Sequence, residues 1–127
     1  MNVPDDLLYS KDHEWVRVES DGRVRIGVTD YAQDALGDVV YVQIPSVGTP
    51  VASGDSFSEV ESTKSVSDIY APVSGTLSEV NVALGDQPQQ VNIDPYGDGW
   101  LCVIELSDVS ELSTLLDPGA YRALLEG

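Results

Sequence analysis

Lysine is scarce in this chain, and one of its two lysines sits in an unusual place. Lys64 lies in "EVESTKSVSD", near Glu59, Glu61 and Asp68 and flanked by the small residues Ser62, Thr63 and Ser65. The other is Lys11. A lysine works as a base or Schiff-base nucleophile when burial lowers its pKa. Polar, turn-forming neighbours instead place Lys64 at an exposed hairpin tip, so a catalytic lysine is not expected. Two readings stay open. In the first, Lys64 is a solvated cation paired weakly with Glu61 or Asp68, an interaction of roughly 0–1 kcal/mol. In the second, its amine is an attachment point for a group that swings between active sites on other proteins. Small neighbours would let a modifying enzyme close around the tip, and the tether would keep the cargo at high effective concentration. The attached group would then carry the chemistry while the protein presents it.

Other chemistry finds little support in residue types and spacing. His13 is the only histidine and Cys102 the only cysteine, so neither a Cys/His zinc set nor a Ser-His-Asp or Cys-His arrangement is signalled. Cys102, inside the apolar run "WLCVIEL", is expected to be a buried strand residue. A lone thiol forms no internal disulfide, which suits a reducing compartment. Carboxylates abound, with 22 Asp and Glu against 6 Lys and Arg and a net charge of −16. Nothing selects an acid/base pair among them. The excess serves solubility and can steer docking onto basic faces of larger partners. Lys11, Arg17, Arg23, Arg25 and Arg122 form no basic patch, which argues against nucleic-acid binding. The apolar runs are too short for a membrane span. The acidic start "MNVPDDLLYS" does not resemble a targeting peptide, so a cytoplasmic location is expected.

The elements that position these residues read as mostly β. "HEWVRVES" and "RVRIGVT" are strands joined at Asp21-Gly22, a hairpin signal. "TDYAQDALG" is a short helix, capped by Thr29 or Asp30 and ended by Gly37. "DVVYVQIP" is a strand closed by Pro45. A strand from Ser56 to Ser62 leads into the Lys64 turn, "SVSDIYAPVSG" returns, and "GTLSEVNV" follows. "ALGDQPQQVNIDPYGDGW" reads as a surface loop, and "WLCVIEL" as a final core strand. "DVSELSTLL" and "DPGAYRALLEG" read as short helices, the latter with Asp117 as cap and Pro118 in its first turn. A length of 127 residues fits one domain, 1–127. "VASGDSFSEVES" and "PVSGTLSEVNVALGD" echo each other on either side of Lys64, as two halves of a quasi-symmetric sandwich would.

"KDHEWVRVE", "VRIGVTDYAQDALGDVVYVQIPSVGT", "EVESTKSVSDIYAPVSG", "EVN", "VNIDPYGDGWL" and "AYRALL" together resemble the H-protein family of the glycine cleavage system, from about Leu8 to Leu125. The resemblance implies a barrel-sandwich hybrid of the lipoyl and biotinyl carrier type. It implies lipoate joined to Lys64 by an amide bond, with Glu61, Ser62, Thr63 and Ser65 as the turn that a modifying enzyme recognises. Family members are carriers rather than enzymes. The dithiolane takes an aminomethyl group from glycine at the pyridoxal-phosphate decarboxylase (P protein). The aminomethyltransferase (T protein) passes the carbon to tetrahydrofolate, and dihydrolipoyl dehydrogenase (L protein) reoxidises the arm. A lipoate ligase or a lipoyl or octanoyl transferase would install it. The aminomethyl cargo decomposes in water, so the arm is expected to shelter in a cleft where Glu14 and Asp68 hold its ammonium. Tyr31 stands where some family members carry histidine, and no titrating role is expected of it. A monomer suits such a carrier.

Competing readings remain. Biotin carriers share the fold, but their target lysine lies between methionines, whereas Thr63 and Ser65 flank Lys64 and Met1 is the only methionine. A lipoyl relay protein donating lipoate to 2-oxoacid dehydrogenases is compatible with the same motifs. An unmodified interaction domain would not need the complete lysine turn.

Overall fold

A computed structural model describes residues 1–20 and 22–126. Among them the chain forms β1 (Leu8–Tyr9), β2 (Glu14–Val18), β3 (Arg23–Val28), α1 (Asp30–Leu36), β4 (Val39–Val42), β5 (Pro50–Val51), β6 (Ser56–Ser62), β7 (Val66–Tyr70) and β8 (Gly75–Val80). The short helix α2 (Gln90–Ile93), the strand β9 (Cys102–Leu106) and the C-terminal helix α3 (Pro118–Glu126) follow. Single 3-10 turns cover Val82–Gly85 and Val109–Thr114.

The strands make two sheets. One runs β1-β2-β3-β9-β8-β5, the other β4-β6-β7, and every neighbouring pair is antiparallel. Period-two alternation decides which face is inward. In β6 it buries Ser58, Val60 and Ser62 and leaves Glu59 and Glu61 exposed. Val16, Val24, Ile26, Leu77, Cys102 and Ile104 form one core cluster. Val28, Val42, Val60, Ile69, Leu84 and Val91 form a second, nearer the Lys64 end. The echoed segments fall in different sheets, β6 in one and β8 in the other. They touch at equivalent serines, where the Ser53 N–H donates to Ser74 Oγ (2.9 Å).

The "HEW" and "PYGDGW" blocks are separated in sequence but joined in space. The Trp15 indole N–H donates to the Pro95 carbonyl (2.8 Å), and Arg17 donates to the Tyr96 carbonyl (2.9 Å). Trp15 pairs with Gly27 across β2 and β3. A Cβ at Gly27 would lie 2.5 Å from the indole ring, so only glycine admits the tryptophan there.

Most expected elements are present, with differences at the margins. Thr29 rather than Asp30 caps α1, its hydroxyl accepting the Ala32 N–H (3.2 Å). Asp117 Oδ1 accepts the Ala120 N–H at the start of α3 (2.7 Å). Gly22 has the positive φ of a hairpin turn, 73°, while Asp21 lies outside the described residues. The expected loop after β8 is not a surface excursion. It buries Leu84 and Val91 in the second core cluster and is tied down by Asn81, whose amide donates to the Asp98 and Trp100 carbonyls (both 2.8 Å). Two apolar residues in a run of turn formers were enough to bring it inward. Cys102 is buried as expected, and burial pushes its thiol up to about 12.

Candidate carrier site

The Lys64 turn is a short connection between β6 and β7, closed by the Ser62 N–H donating to the Ser65 carbonyl (2.8 Å). Ser62 Oγ accepts the N–H groups of Lys64 (3.2 Å) and Ser65 (3.1 Å). Ser62 is itself buried. The sequence reading made it an accessible neighbour of the lysine; the structure makes it the turn's internal brace, because the β6 alternation points it inward. Thr63, Lys64 and Ser65 are exposed. Thr63 docks the turn onto the α1–β4 junction, its N–H donating to the Asp38 carbonyl (3.0 Å).

No acidic oxygen lies within 4.0 Å of the Lys64 ammonium among the described residues. The weak pair with Glu61 or Asp68 is therefore not formed. Glu61 is exposed on the outer sheet face, opposite Tyr41 on one side and Val66 on the other.

Beside the turn, a cleft of about 220 Å³ opens between α1 and β7. Tyr31, Ala32, Ala35 and Leu36 supply one wall, spaced so that they share a face of the helix. Ser65, Ser67 and Ile69 supply the other, along the unpaired edge of β7. Asp12, His13 and Glu14 close the end, with Val28 as part of the lining. The cleft thus has mostly apolar or small walls and a polar end.

Glu14 is the dominant polar group there. It is only 2% exposed, and its carboxylate accepts the Ser10 hydroxyl at 2.6 Å. The same hydroxyl accepts the Glu14 N–H (3.1 Å). Burial pushes the Glu14 carboxyl up to about 7, opposed by the Ser10 hydrogen bond and assisted by nearby Asp12. Its position rests on a strained residue. His13 has φ 68°, uncommon without glycine. Its ring lies 4.6 Å from Tyr31, and its Nδ1 shares a hydrogen bond with the Tyr121 hydroxyl (2.9 Å). Tyr121 in turn bonds the Thr29 hydroxyl (2.7 Å), joining α3, the α1 cap and the cleft end. Burial lowers the His13 pKa. In the sequence, His13 serves only to argue against a zinc set and a Ser-His-Asp or Cys-His arrangement, and Tyr121 is not singled out. The "HEW" block held the signal for the former, and nothing local held one for the latter.

Asp68 differs from Glu14. It borders the cleft at the edge of β7, but it pairs with Glu59 while Ser67 pairs with Val60 and Ile69 with Ser58. Alternation therefore turns its side chain to the outer face, with Glu59 and Glu61. Its carboxylate accepts the Ser56 hydroxyl (3.3 Å). Both expected carboxylates border the cleft, Glu14 buried at its end and Asp68 on the exposed rim of β7.

Relatives place this arrangement in context. The family model for glycine cleavage H-protein matches residues 7–127. The glycine cleavage system H protein of Mycobacterium tuberculosis is 58% identical over 130 residues, covering 98% of this chain and 97% of that protein. That of Stenotrophomonas maltophilia is 53% identical over 124 residues, covering 98% and 95%. The crystal structure of a glycine cleavage system H protein from Mycobacterium marinum superposes with a TM-score of 0.90 at 45% identity, covering 98% of this chain and all of that one. The two-sheet architecture with its short helices is accordingly the barrel-sandwich of lipoyl carriers, and the chain belongs to the glycine cleavage H-protein family.

Proposed function

We propose that residues 1–127 form one carrier domain whose Lys64 holds lipoate through an amide bond, and that the chain is a non-catalytic shuttle of glycine cleavage. The observation that carries this reading is an exposed lysine with no acidic partner among the described residues, on a braced turn, beside a cleft that ends in a buried carboxylate. These features fit the group: apolar Val28, Leu36 and Ile69 suit a hydrocarbon arm, and Glu14 suits a cationic end. When bound, lipoate supplies the disulfide chemistry by which an aminomethyl group is taken from glycine at the P protein, yielded to tetrahydrofolate at the T protein, and the dithiol reoxidised by the L protein.

The chain's own residues do the rest. Ser62 holds the turn so that Lys64 projects where a lipoate ligase or transferase can reach it, with Thr63 and Ser65 exposed beside it. The α1 and β7 walls cover two sides of whatever enters the cleft and so reduce its contact with water. Glu14, pushed up to about 7, is partly protonated in the empty cleft near neutral pH. A cation arriving beside it favours the carboxylate, so the proton leaves and a charge-assisted hydrogen bond forms. Sheltering the cargo and shedding a proton are one event in this reading. The shuttle is expected to work in the cytoplasm as a monomer, and no helix among the described residues is long and apolar enough to cross a membrane.

The test is reconstitution with P protein and isotope-labelled glycine. Label should become attached to the lipoylated chain, not to the unmodified one, and T protein with tetrahydrofolate should discharge it. Equal labelling of the unmodified chain would remove the lipoyl-lysine from the account.

A further inference from the structure

The stem of Lys64 lies on a surface that another part of the chain holds in place. Gly37, which ends α1, has φ 83°, and a Cβ there would lie 3.0 Å from Lys64 Cε and 3.4 Å from Cδ. The next residue, Asp38, accepts the Thr63 N–H (3.0 Å), and Val39 pairs with Ser62. Three consecutive residues, 37–39, thus meet the lysine and the two residues before it.

Behind this segment stands Asn92 of α2. Its Oδ1 accepts the Val39 N–H (2.8 Å). Its Nδ2 donates to the Gly37 carbonyl (2.9 Å) and to Gln33 Oε1 (3.1 Å). Both amide donors are thereby used, and they fix the last turn of α1 to the first residue of β4. Asn92 is not among the residues that line the cleft, and its side-chain hydrogen bonds go to Val39, Gly37 and Gln33.

We infer that Asn92 is a positioning residue for the attachment lysine. By holding residues 37–39 it fixes the bare glycine surface over which the Lys64 stem leaves its turn, at the C-terminal end of the helix whose Leu36, Ala35 and Ala32 line the cleft. The lysine stem is thereby held against the end of α1, next in sequence to the cleft-lining Leu36, before any group is attached. This rests on the proposed attachment at Lys64, although the placement of the stem belongs to the unmodified chain.

Asn92→Asp tests it. The variant keeps the side-chain shape and an acceptor for Val39, and sets a carboxylate oxygen against the Gly37 and Gln33 oxygens. Amide hydrogen exchange at Thr63 and Lys64 is expected to quicken about tenfold, the scale of one lost hydrogen bond, while Ile26 and Val103 in the larger sheet keep their protection. With lipoate ligase and lipoate, kcat/KM for modification of Lys64 should fall by a similar factor. Gly37→Ala perturbs the glycine surface itself: at φ 83° the added methyl strains the backbone and meets Lys64 Cε at 3.0 Å, and modification should slow without loss of protection at Ile26 and Val103. Asn92→Ala, which drops all three side-chain bonds without adding a charge, takes the place of Asn92→Asp where that variant does not fold, with the same expected results. Unchanged modification in the folded variants overturns the inference. So does equal loss of protection at Thr63, Ile26 and Val103 in Asn92→Asp, which would assign Asn92 to the fold as a whole. Wild-type protein left unmodified at Lys64 would instead defeat the attachment reading, and the exchange pattern would still decide the placement.

Discussion

Glu14→Gln should make the protein more stable at alkaline pH while impairing its carrier role. Burial holds the Glu14 carboxyl at about 7 against an ordinary 4.5. Each tenfold change in proton affinity is about 1.4 kcal/mol, so the ionised form costs the fold roughly 3 kcal/mol at about pH 8. The sign follows from the folded chain binding this proton more tightly than the unfolded chain. The group's contribution is fully present below about pH 4.5 and is lost as pH rises through about 7. Glutamine keeps an amide oxygen for the Ser10 hydroxyl and cannot ionise. It gives up one oxygen to an amide nitrogen, and the lost bond to the Tyr70 backbone costs about 1 kcal/mol. The net expectation is a gain of about 2 kcal/mol at about pH 8, shrinking to zero or a slight loss at about pH 5. Urea unfolding, followed through the fluorescence of buried Trp15, measures both chains across this range. The remaining acids titrate in both proteins, so the difference between the curves isolates Glu14. Parallel curves would refute the reasoning, since they would mean that Glu14 titrates in the fold as it does in the unfolded chain. The same variant, lipoylated and loaded, should lose ammonia faster than wild type.

Lys64→Arg should remove lipoylation and the glycine-dependent exchange of labelled carbon dioxide, with unfolding free energy within about 0.5 kcal/mol of wild type; Lys11→Arg should change neither, as activity assays and urea curves will show. Gly27→Ala sets a methyl 2.5 Å from the Trp15 ring and should cost about 2–3 kcal/mol, with a shift in tryptophan emission as the indole moves. Tyr121→Phe removes the hydroxyl between His13 and Thr29. It should cost about 1–2 kcal/mol and broaden the His13 ring signals in NMR spectra, whereas unchanged signals would deny α3 a part in ordering the cleft end.

What was legible in the sequence was local. The Thr29 cap, the Gly37 stop, the strands around "EVES" and the lysine at a tip all follow from residues within a few positions of one another. The sidedness of the site was harder to see. Glu14 and Asp68 look equivalent as letters. One is buried against Ser10, and the other is turned outward by a register that depends on how β6 and β7 pair. Ser62 looked like an accessible serine for the same reason. The stretch after β8 has the composition of a surface loop, yet Leu84 and Val91 have core sites waiting from α1, β4 and β7. The role of Tyr121 rests on contacts spanning most of the chain, with partners 108 residues away at His13 and 92 at Thr29. The strand β1 is only two residues long and is specified by its partner β2 rather than by its own pattern.

The central claim is the amide on Lys64. Protein made in cells supplied with lipoate can be digested and its peptides mapped by mass spectrometry. The account predicts the lipoyl increment on the peptide containing Lys64 and a bare Lys11. A bare Lys64, or the increment on Lys11, would contradict it.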